Sequence, residues 1–510
     1  METSRTKNAL LNIFVGIFSQ VGILVLTFVG RSVFVHYLNS EYLGINGLYN
    51  NILSVLALAE LGLGNVTQFY LYKPVAQNDE KTITSMVKLF RKMYFIISMI
   101  ILIVGIMIIP LLKFIVNSNL TQTELVFYYV LFLVNSVISY FSAHNIALLA
   151  ANQDTRLQKY ILLIVNFFTQ IVQIFTLAIW KSYSIYILVS VIATLMNVNV
   201  INLICKKKYK YLSYIECEKL PSDLKKGIYK KIKSTFIYKI GATIVNNTDN
   251  ILISIMVSTL AVGLYSNYHM IIAGVQGFIA IVTTALIPGI GNLSTCGDKE
   301  KMESVFNTML FIYQIIATFG AISFYFLFAE FIPIWIGEKY LLDNFTVFTI
   351  VLSFYLTNAI SPIWMFREAN GLFDKVKYLL MSTAILNIIF SIILGRYLGM
   401  AGILLATSIA RILTQVWYEP KILFREVFSQ STKKYWYKQL WYVLLTIITF
   451  GICGMISYIL PNGLIGIILK GFVYVVVTIL VFVIGNFRNK VMKEIKMIIV
   501  NKIEKSRRKR

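Results

Sequence analysis

Charged side chains are scarce in this sequence. Only 14% of its 510 residues are Asp, Glu, Lys or Arg, whereas soluble domains carry about 25%. Hydrophobic residues make up 58%, and the mean hydropathy is +0.74. This balance excludes a soluble globular protein and predicts an all-α protein that crosses a membrane many times.

Cysteines and catalytic motifs are also scarce. Cys205, Cys217, Cys296 and Cys453 are too scattered for a disulfide framework or a metal site, and reduced thiols are expected. The sequence has no phosphate-binding P-loop, zinc-binding spacing or nucleophile elbow. The longest predicted outer loop, Ala329 to Asp343, is too short to build a catalytic site. We therefore expect no enzyme and no cofactor, and a transport cycle driven by an ion or substrate gradient.

Long apolar runs are abundant. Stretches of roughly 20 apolar residues, the length that spans a bilayer, occur fourteen times. The predicted spans are 10–36, 46–71, 93–115, 125–150, 160–180, 184–204, 235–257, 262–287, 305–328, 344–366, 378–395, 400–418, 439–460 and 464–486.

The net charge of +24 has a strongly one-sided distribution. On this topology, 39 of the 47 Lys and Arg lie on the side of the N-terminus. That asymmetry places both termini in the cytoplasm and brings basic loops to anionic lipid heads, so it does not indicate nucleic-acid binding. The outer loops hold Lys113, Lys181, Lys339 and Arg396, and the spans hold Arg31, Lys239, Arg411 and Lys470.

The chain contains an internal repeat. A shift of 219 positions places Gly44 on Gly263 and Asp79 on Asp298, and a shift of 218 places Ala151 on Ala369. The register holds across six spans, which predicts two parallel six-helix repeats, an architecture of transporters. The predicted domains are a first lobe (1–205), a basic linker (206–234), a second lobe (235–424), two further spans (425–486) and a basic tail (487–510).

Polar side chains recur in the first span of each repeat. Lys239, Thr243, Asn246 and Asn250 are spaced to share one helix face. The shift places Gln20 and Arg31 opposite Lys239 and Asn250. A charged group in hydrocarbon costs about 2.5–3.5 kcal/mol on insertion scales, so we expect the two stripes to line a polar cavity.

Further ionisable groups fall inside the spans. Counting Arg411, intramembrane cations outnumber the carboxylates Glu60 and Asp249, which suits a phosphate or diphosphate ligand. The carboxylates are candidates for H⁺ or Na⁺ coupling, with Na⁺ considered at Asp249. The alternatives are structural ion pairs of Arg31 or Lys239 with these carboxylates. Lys470 lies about two turns from an outer helix end and is expected to extend to the outer surface. The predicted substrate-binding residues are Arg31, Lys239, Arg411, Gln20, Asn246 and Asn250.

Two stretches resemble a known family. "EYLGINGLYNNILSVLALAELGLGNVTQFYLYKPVAQND" (Glu41–Asp79) and "TDNILISIMVSTLAVGLYSNYHMI" (Thr248–Ile271) are similar to bacterial Wzx-type polysaccharide flippases of the multidrug/oligosaccharidyl-lipid/polysaccharide (MOP) exporter superfamily. The resemblance implies transfer of undecaprenyl-diphosphate-linked oligosaccharides across the bacterial cytoplasmic membrane by alternating access. It implies a role in the export of capsule, O-antigen or teichoic-type polymers, with glycosyltransferases and a polymerase of that pathway as partners. A monomer suffices, because each chain contains both lobes.

Three alternatives remain open. A multidrug exporter of the same superfamily would present an acidic, aromatic cavity. A membrane glycosyltransferase or polymerase would need a larger outer loop. A scaffold that transports nothing would leave the paired polar stripes unexplained.

Overall fold

The computed structural model describes residues 21–60, 63–152, 154–215, 220–295, 298–488 and 492. Within these ranges the protein is helical and contains no strand, which confirms the all-α prediction. Ten of the described helical segments are long and apolar enough to cross a membrane. The count of fourteen crossings and the cytoplasmic termini stay predictions.

The described residues form seventeen main helices, joined by turns and short helical segments. They are α1 (Val21–Tyr37), α2 (Ser40–Leu56), α3 (Leu63–Ala76), α4 (Glu80–Ile108), α5 (Gln122–Ser139), α6 (Ala143–Ala151), α7 (Thr155–Trp180), α8 (Tyr183–Lys208), α9 (Ser222–Met256), α10 (Thr259–Thr295), α11 (Lys299–Ile336), α12 (Asn344–Ala359), α13 (Ser361–Ala369), α14 (Phe373–Leu413), α15 (Gln415–Leu423), α16 (Lys433–Ile459) and α17 (Leu464–Gly485).

Two residues that the repeat shift pairs have the same structural role at the starts of α4 and α11. The Asp79 carboxylate accepts a hydrogen bond of 3.0 Å from the backbone N–H of Thr82 and caps α4. Asp298, its partner under the shift of 219, caps α11 in the same way through the N–H of Lys301 at 3.0 Å. An aspartate at this position satisfies a backbone donor that the helix itself leaves unpaired. The matching aspartates therefore start equivalent helices.

Helix α14 is a hairpin of two helices. Gly399 adopts φ +56° and ψ −135°, which interrupts the helical backbone. The hydroxyls of Thr383 and Thr414 lie 2.8 Å apart, and Asn387 Nδ2 donates to Thr407 Oγ1 at 2.8 Å. Since these pairs bracket Gly399, the two halves run antiparallel. The helical hairpin accounts for the two separately predicted spans, 378–395 and 400–418.

The described chain forms two compact units, residues 21–267 and 268–488, hereafter the first and second units. Their boundary falls inside α10, whereas the sequence predicted a lobe boundary in the linker 206–234. The difference arises because α9 packs against α2 within the first unit. A division by contacts therefore need not follow a division by repeats, and the predicted lobes stay a prediction.

Two expectations about the second unit, the outer loop from Ala329 and the exposure of Lys470, are wrong. The predicted outer loop beginning at Ala329 is helical as far as Ile336, because α11 continues through it. Glu330 consequently lies in a helix and pairs with Lys470 of α17. Lys470 also donates to Asn462 Oδ1 at 3.0 Å and is 0% exposed. It therefore binds protein groups near its helix end instead of extending to the surface.

A buried ion pair fixes the short helices of the second unit. Arg367 of α13 and Glu419 of α15 lie 2.8 Å apart, and both side chains are almost fully buried. An aromatic cluster lies in the same unit, in which Phe306 contacts Phe366, Phe424 and Phe428. The charges are thus held among tightly packed rings, where each needs the other as its partner.

Candidate functional site

The centre of the first unit is a close crossing of α2 and α10. A Cβ atom added to Gly44 would lie 1.9 Å from the carbonyl oxygen of Thr259. One added to Gly263 would lie 2.0 Å from the carbonyl oxygen of Ser40. Only glycine permits this approach, which is how membrane helices commonly come together. We call this contact, formed by Ser40, Gly44, Thr259 and Gly263, the glycine crossing.

The glycine crossing is symmetric with respect to the repeat. The shift of 219 relates Gly44 to Gly263 and Ser40 to Thr259. Gly44 contacts Thr259, and Gly263 contacts Ser40, so the two contacts are equivalent under the repeat. Such reciprocity is the property of a two-fold axis. A local two-fold axis therefore passes between Gly44 and Gly263.

Arg31 extends from α1 to α10 beside this axis. Its Nη1 donates a hydrogen bond of 3.1 Å to Ser266 Oγ, and the side chain is half-buried. Among the described residues, no carboxylate lies within salt-bridge distance of Arg31. The alternative of a structural ion pair with Glu60 is thus not what the structure shows. The guanidinium keeps donors for a further ligand.

Asn250 occupies the equivalent position on α9. The shift that relates Arg31 to Asn250 also relates Ser266 to Gly47, and Asn250 Nδ2 lies 3.8 Å from the Cβ position of Gly47. The Asn250 Oδ1 atom is buried and accepts no hydrogen bond from the described residues. The structure therefore brings two predicted site residues, Arg31 and Asn250, to equivalent places around one axis.

Three predicted site residues are outside this description. Gln20 lies outside the described residues. The backbone of Lys239 and Asn246 belongs to α9, but their side chains are outside the described part of the structure. Their roles in substrate binding stay predictions.

The two candidate coupling carboxylates are both half-buried in the first unit. Glu60 ends the short 3₁₀ turn after α2, where it hydrogen-bonds the Tyr140 hydroxyl and lies near Tyr94. Asp249 precedes Asn250 on α9 and takes part in a hydrogen-bonding or electrostatic contact. Glu60 therefore has tyrosine neighbours and forms no ion pair with Arg31, and each carboxylate is engaged.

Arg411 belongs to the second unit. It lies in the second half of the α14 hairpin and donates a hydrogen bond of 2.7 Å from Nη1 to Thr357 Oγ1 of α12. The side chain is half-buried. These contacts show a cation held between two helices of its own unit, and its predicted role in substrate binding stays a prediction.

The structure adds a cavity that the sequence analysis did not predict. It has a volume of about 330 Å³ and lies between α2, α5, α7 and α8, and none of the described residues that line it carries a charge. We call it the amide cavity, because Asn46, Asn50, Asn135, Asn166, Gln170, Gln173 and Asn197 line it together with Tyr186 and several small polar and apolar side chains.

Arg31 lies at the edge of the amide cavity. It is an electrostatic neighbour of Tyr186, one of the lining residues. The adjacent Gly30 lies so close to Gln170, another lining residue, that an added Cβ would be 2.5 Å from its Oε1 atom. Both contacts bring α1 against α7 and α8. Arg31 thus lies beside a cavity whose described lining is uncharged and rich in hydrogen-bonding groups.

A sequence signal for the amide cavity existed. Asn166, Thr169, Gln170 and Gln173 follow the i, i+3, i+4, i+7 spacing of a single helix face within an apolar span. This is the same test that identified the stripe on the seventh predicted span. Applied to the fifth span, it would have predicted a polar face there as well.

Comparisons with known proteins agree with this architecture. The model of a family described as "Polysaccharide biosynthesis protein" matches residues 47–343, more than half of the chain. No curated protein matches the chain.

Solved structures show the fold. The lipid II flippase MurJ in an inward-closed conformation superposes with a TM-score of 0.65 at 16% identity, covering 93% of this chain and 98% of MurJ. An inward-facing MATE-family multidrug transporter of the MOP superfamily gives 0.61 at 16% identity, covering 79% and 98%. A mutant of the Vibrio cholerae MATE transporter VcmN gives 0.57 at 14% identity, covering 84% and 99%. The chain therefore belongs to the polysaccharide biosynthesis protein family and has the multi-pass membrane fold of MOP-superfamily transporters.

Proposed function

We propose that this protein is a flippase that carries undecaprenyl-diphosphate-linked oligosaccharides from the inner to the outer leaflet of the bacterial cytoplasmic membrane. It would work by alternating access in the export of capsule, O-antigen or teichoic-type polymers. Membership of a polysaccharide biosynthesis family supports the sugar-polymer context. The fold shared with a lipid II flippase supports a lipid-linked substrate.

The observation that carries the proposal is Arg31 beside the amide cavity. The diphosphate of such a substrate needs a cation, and a guanidinium can bind two of its oxygens at once. The saccharide needs neutral donors and acceptors, which Asn and Gln side chains supply together. The cavity volume of about 330 Å³ falls at the lower end of the range of ligand sites. Both requirements of the headgroup meet in one unit.

The test is flipping in proteoliposomes. Purified protein is reconstituted with a radiolabelled undecaprenyl-diphosphate oligosaccharide, and the fraction reached by an impermeant sugar-oxidising reagent is followed over time. Arg31→Ala removes charge-assisted hydrogen bonds worth about 1.5–3 kcal/mol, so flipping should slow about tenfold to a hundredfold. Arg31→Lys should recover part of the rate, since it keeps the charge but not the paired donors.

Arg396→Ala is the matched control, because Arg396 is exposed and lies near the turn of the α14 hairpin. It should flip at the unmodified rate. Equal rates for Arg31→Ala and Arg396→Ala would refute the assignment of Arg31. Export of organic cations without flipping of the labelled lipid would identify a multidrug exporter instead.

We further propose that Glu60 and Asp249 couple transport to a H⁺ or Na⁺ gradient. Both are half-buried carboxylates in a membrane-spanning unit, the kind of group that marks ion paths. The hydrogen bond from Tyr140 to Glu60 is compatible with a proton that is taken up and released. Partner enzymes of the same polymer pathway would supply the substrate and use the product.

A further inference from the structure

A second polar recess of the first unit is distinct from the amide cavity. Two overlapping cavities of about 410 and 550 Å³ lie between α4, α6 and α8. None of their lining residues lines the amide cavity. We call this recess the basic crevice, since Lys88, Arg91, Lys92 and Lys206 line it.

The cations of the basic crevice share one helix face. Lys88, Arg91 and Lys92 are spaced three and four residues apart on α4, which places them side by side. Lys206 approaches from the end of α8. Among the described residues, no carboxylate lies within salt-bridge distance of these four cations. Like charges gathered without an acidic partner create a site for an anion.

A nearby lysine shows how the protein neutralises a cation elsewhere. Lys208, two residues after Lys206, lies 2.5 Å from Asp154, which also accepts a hydrogen bond from Tyr209 at 2.9 Å. Burial acts to raise the pKa of Asp154, but the hydrogen bonds from Lys208 and Tyr209 outweigh it and lower that pKa below its ordinary value. Within the described part of the chain, a carboxylate therefore pairs with Lys208 and none pairs with the cations of the basic crevice.

An apolar rim lies one helical turn away from the cations. Phe95 of α4 and Phe141 have ring centroids 6.5 Å apart in a stacked arrangement, and they are 53% and 40% exposed. Exposed Ile96, Ile100 and Ile103 continue the surface along α4. Since one turn of helix rises about 5.4 Å, charge gives way to a lipid-facing surface within that distance. A ligand here meets cations at one end and hydrocarbon at the other.

The floor of the basic crevice is polar and ordered. His144 of α6 is only 7% exposed, and its Nδ1 atom has no hydrogen-bond partner among the described residues. Asn145 and Asn202 hold the floor in place by a hydrogen bond of 2.8 Å. A buried ring nitrogen without a partner is costly and unusual in a native structure. It offers a hydrogen bond to a group that enters the crevice.

We propose that the basic crevice binds the headgroup of an anionic phospholipid from the leaflet that it faces. Lys88, Arg91 and Lys206 bind the phosphate, and a headgroup hydroxyl or phosphate oxygen reaches His144. The acyl chains lie along Phe95 and Phe141. A basic pocket between membrane helices on the lysine-rich side is where anionic headgroups bind. This site adds a lipid ligand to the proposed flippase and does not require the substrate.

The experiment measures lipid binding by native mass spectrometry of the full-length protein in detergent. Phosphatidylglycerol, phosphatidylcholine and undecaprenyl diphosphate are titrated separately. Lys88→Gln with Arg91→Gln removes two basic residues, each of which contributes to the free energy of anionic-lipid binding. Together the two losses should weaken phosphatidylglycerol binding about thirtyfold. His144→Phe should weaken it less, because only one hydrogen bond is lost. Phosphatidylcholine should bind weakly to every variant.

Lys113→Gln with Lys181→Gln is the matched control, since both lysines are exposed and lie elsewhere in the same unit. It should bind phosphatidylglycerol as the unmodified protein does. Equal phosphatidylglycerol affinity in the two double variants would overturn the proposal. So would a loss confined to undecaprenyl diphosphate, which would assign the crevice to the substrate. If Arg31→Ala flipped at the unmodified rate but the crevice variants still lost phosphatidylglycerol binding, the proposed function would fail and the lipid site would be retained. The two experiments measure different ligands.

Discussion

The close contact at the glycine crossing predicts that alanine at either glycine destabilises the first unit. In Gly44→Ala the new methyl group meets the Thr259 carbonyl oxygen at 1.9 Å, whereas an ordinary contact begins near 3.4 Å. The difference requires α2 and α10 to separate by about 1.5 Å, because backbone cannot rotate out of the way as a side chain can. Overpacking of this kind costs about 1–3 kcal/mol. Gly263→Ala should cost a similar amount through Ser40.

The double variant tests whether the two glycines share one contact. Once the first alanine has forced the helices apart, the second meets a wider gap. The two costs should therefore sum to more than the measured cost of the double variant. Gly22→Ala is the control, because nothing lies within 4 Å of its Cβ position. In a helix that substitution should be neutral or stabilising by up to about 1 kcal/mol.

The assay has two readouts. Thermal unfolding in detergent compares stability, and maleimide labelling of Ser40→Cys, in a background without the four native cysteines, reports separation at the crossing. Ser40 is 9% exposed, so labelling should be slow until Gly44→Ala opens the contact. Flipping should slow as well if the crossing must close in each cycle. Labelling and unfolding equal to those of Gly22→Ala would refute the close contact.

Two further predictions concern ionisable groups. Glu60→Gln and Asp249→Asn should lose the dependence of flipping on an imposed H⁺ or Na⁺ gradient, and transport by both that still follows the gradient would exclude them as coupling groups. Arg367→Met should destabilise the second unit by about 3–5 kcal/mol in thermal or denaturant unfolding, because Glu419 stays buried without a partner. Adding Glu419→Leu should restore most of that loss, and a single variant as stable as Arg396→Ala would contradict this account.

Much of the fold could be predicted because its signals are local and repeated. Apolar runs mark the spans, and the repeat shift pairs Asp79 with Asp298, which the structure shows to cap α4 and α11. The same shift pairs Gly44 with Gly263, although their mutual contact is a tertiary fact that no local pattern contains. The sequence thus shows equivalence between residues but not which equivalent residues meet.

The site was less accessible to prediction for a physical reason. A polar residue in a span needs a partner or water, but the sequence does not say which. Glu60 and Arg31 were natural partners by charge, yet Glu60 hydrogen-bonds Tyr140 and Arg31 donates to Ser266. Lys470 was expected at the surface and instead pairs with Glu330. Charge alone does not select partners, because helix rotation and height decide which groups come within reach.

Around the local two-fold axis of the glycine crossing, equivalent positions carry different side chains. Arg31 donates to Ser266, while at the equivalent place a shorter Asn250 faces Gly47. A long cation therefore lies on one side of the axis and a neutral amide on the other. The amide cavity lies beside Arg31, since Gly30 and Arg31 approach its lining residues Gln170 and Tyr186. The glycine crossing is thus symmetric in its backbone contacts, but the side chains beside it differ, and the cation is the one that adjoins the amide cavity.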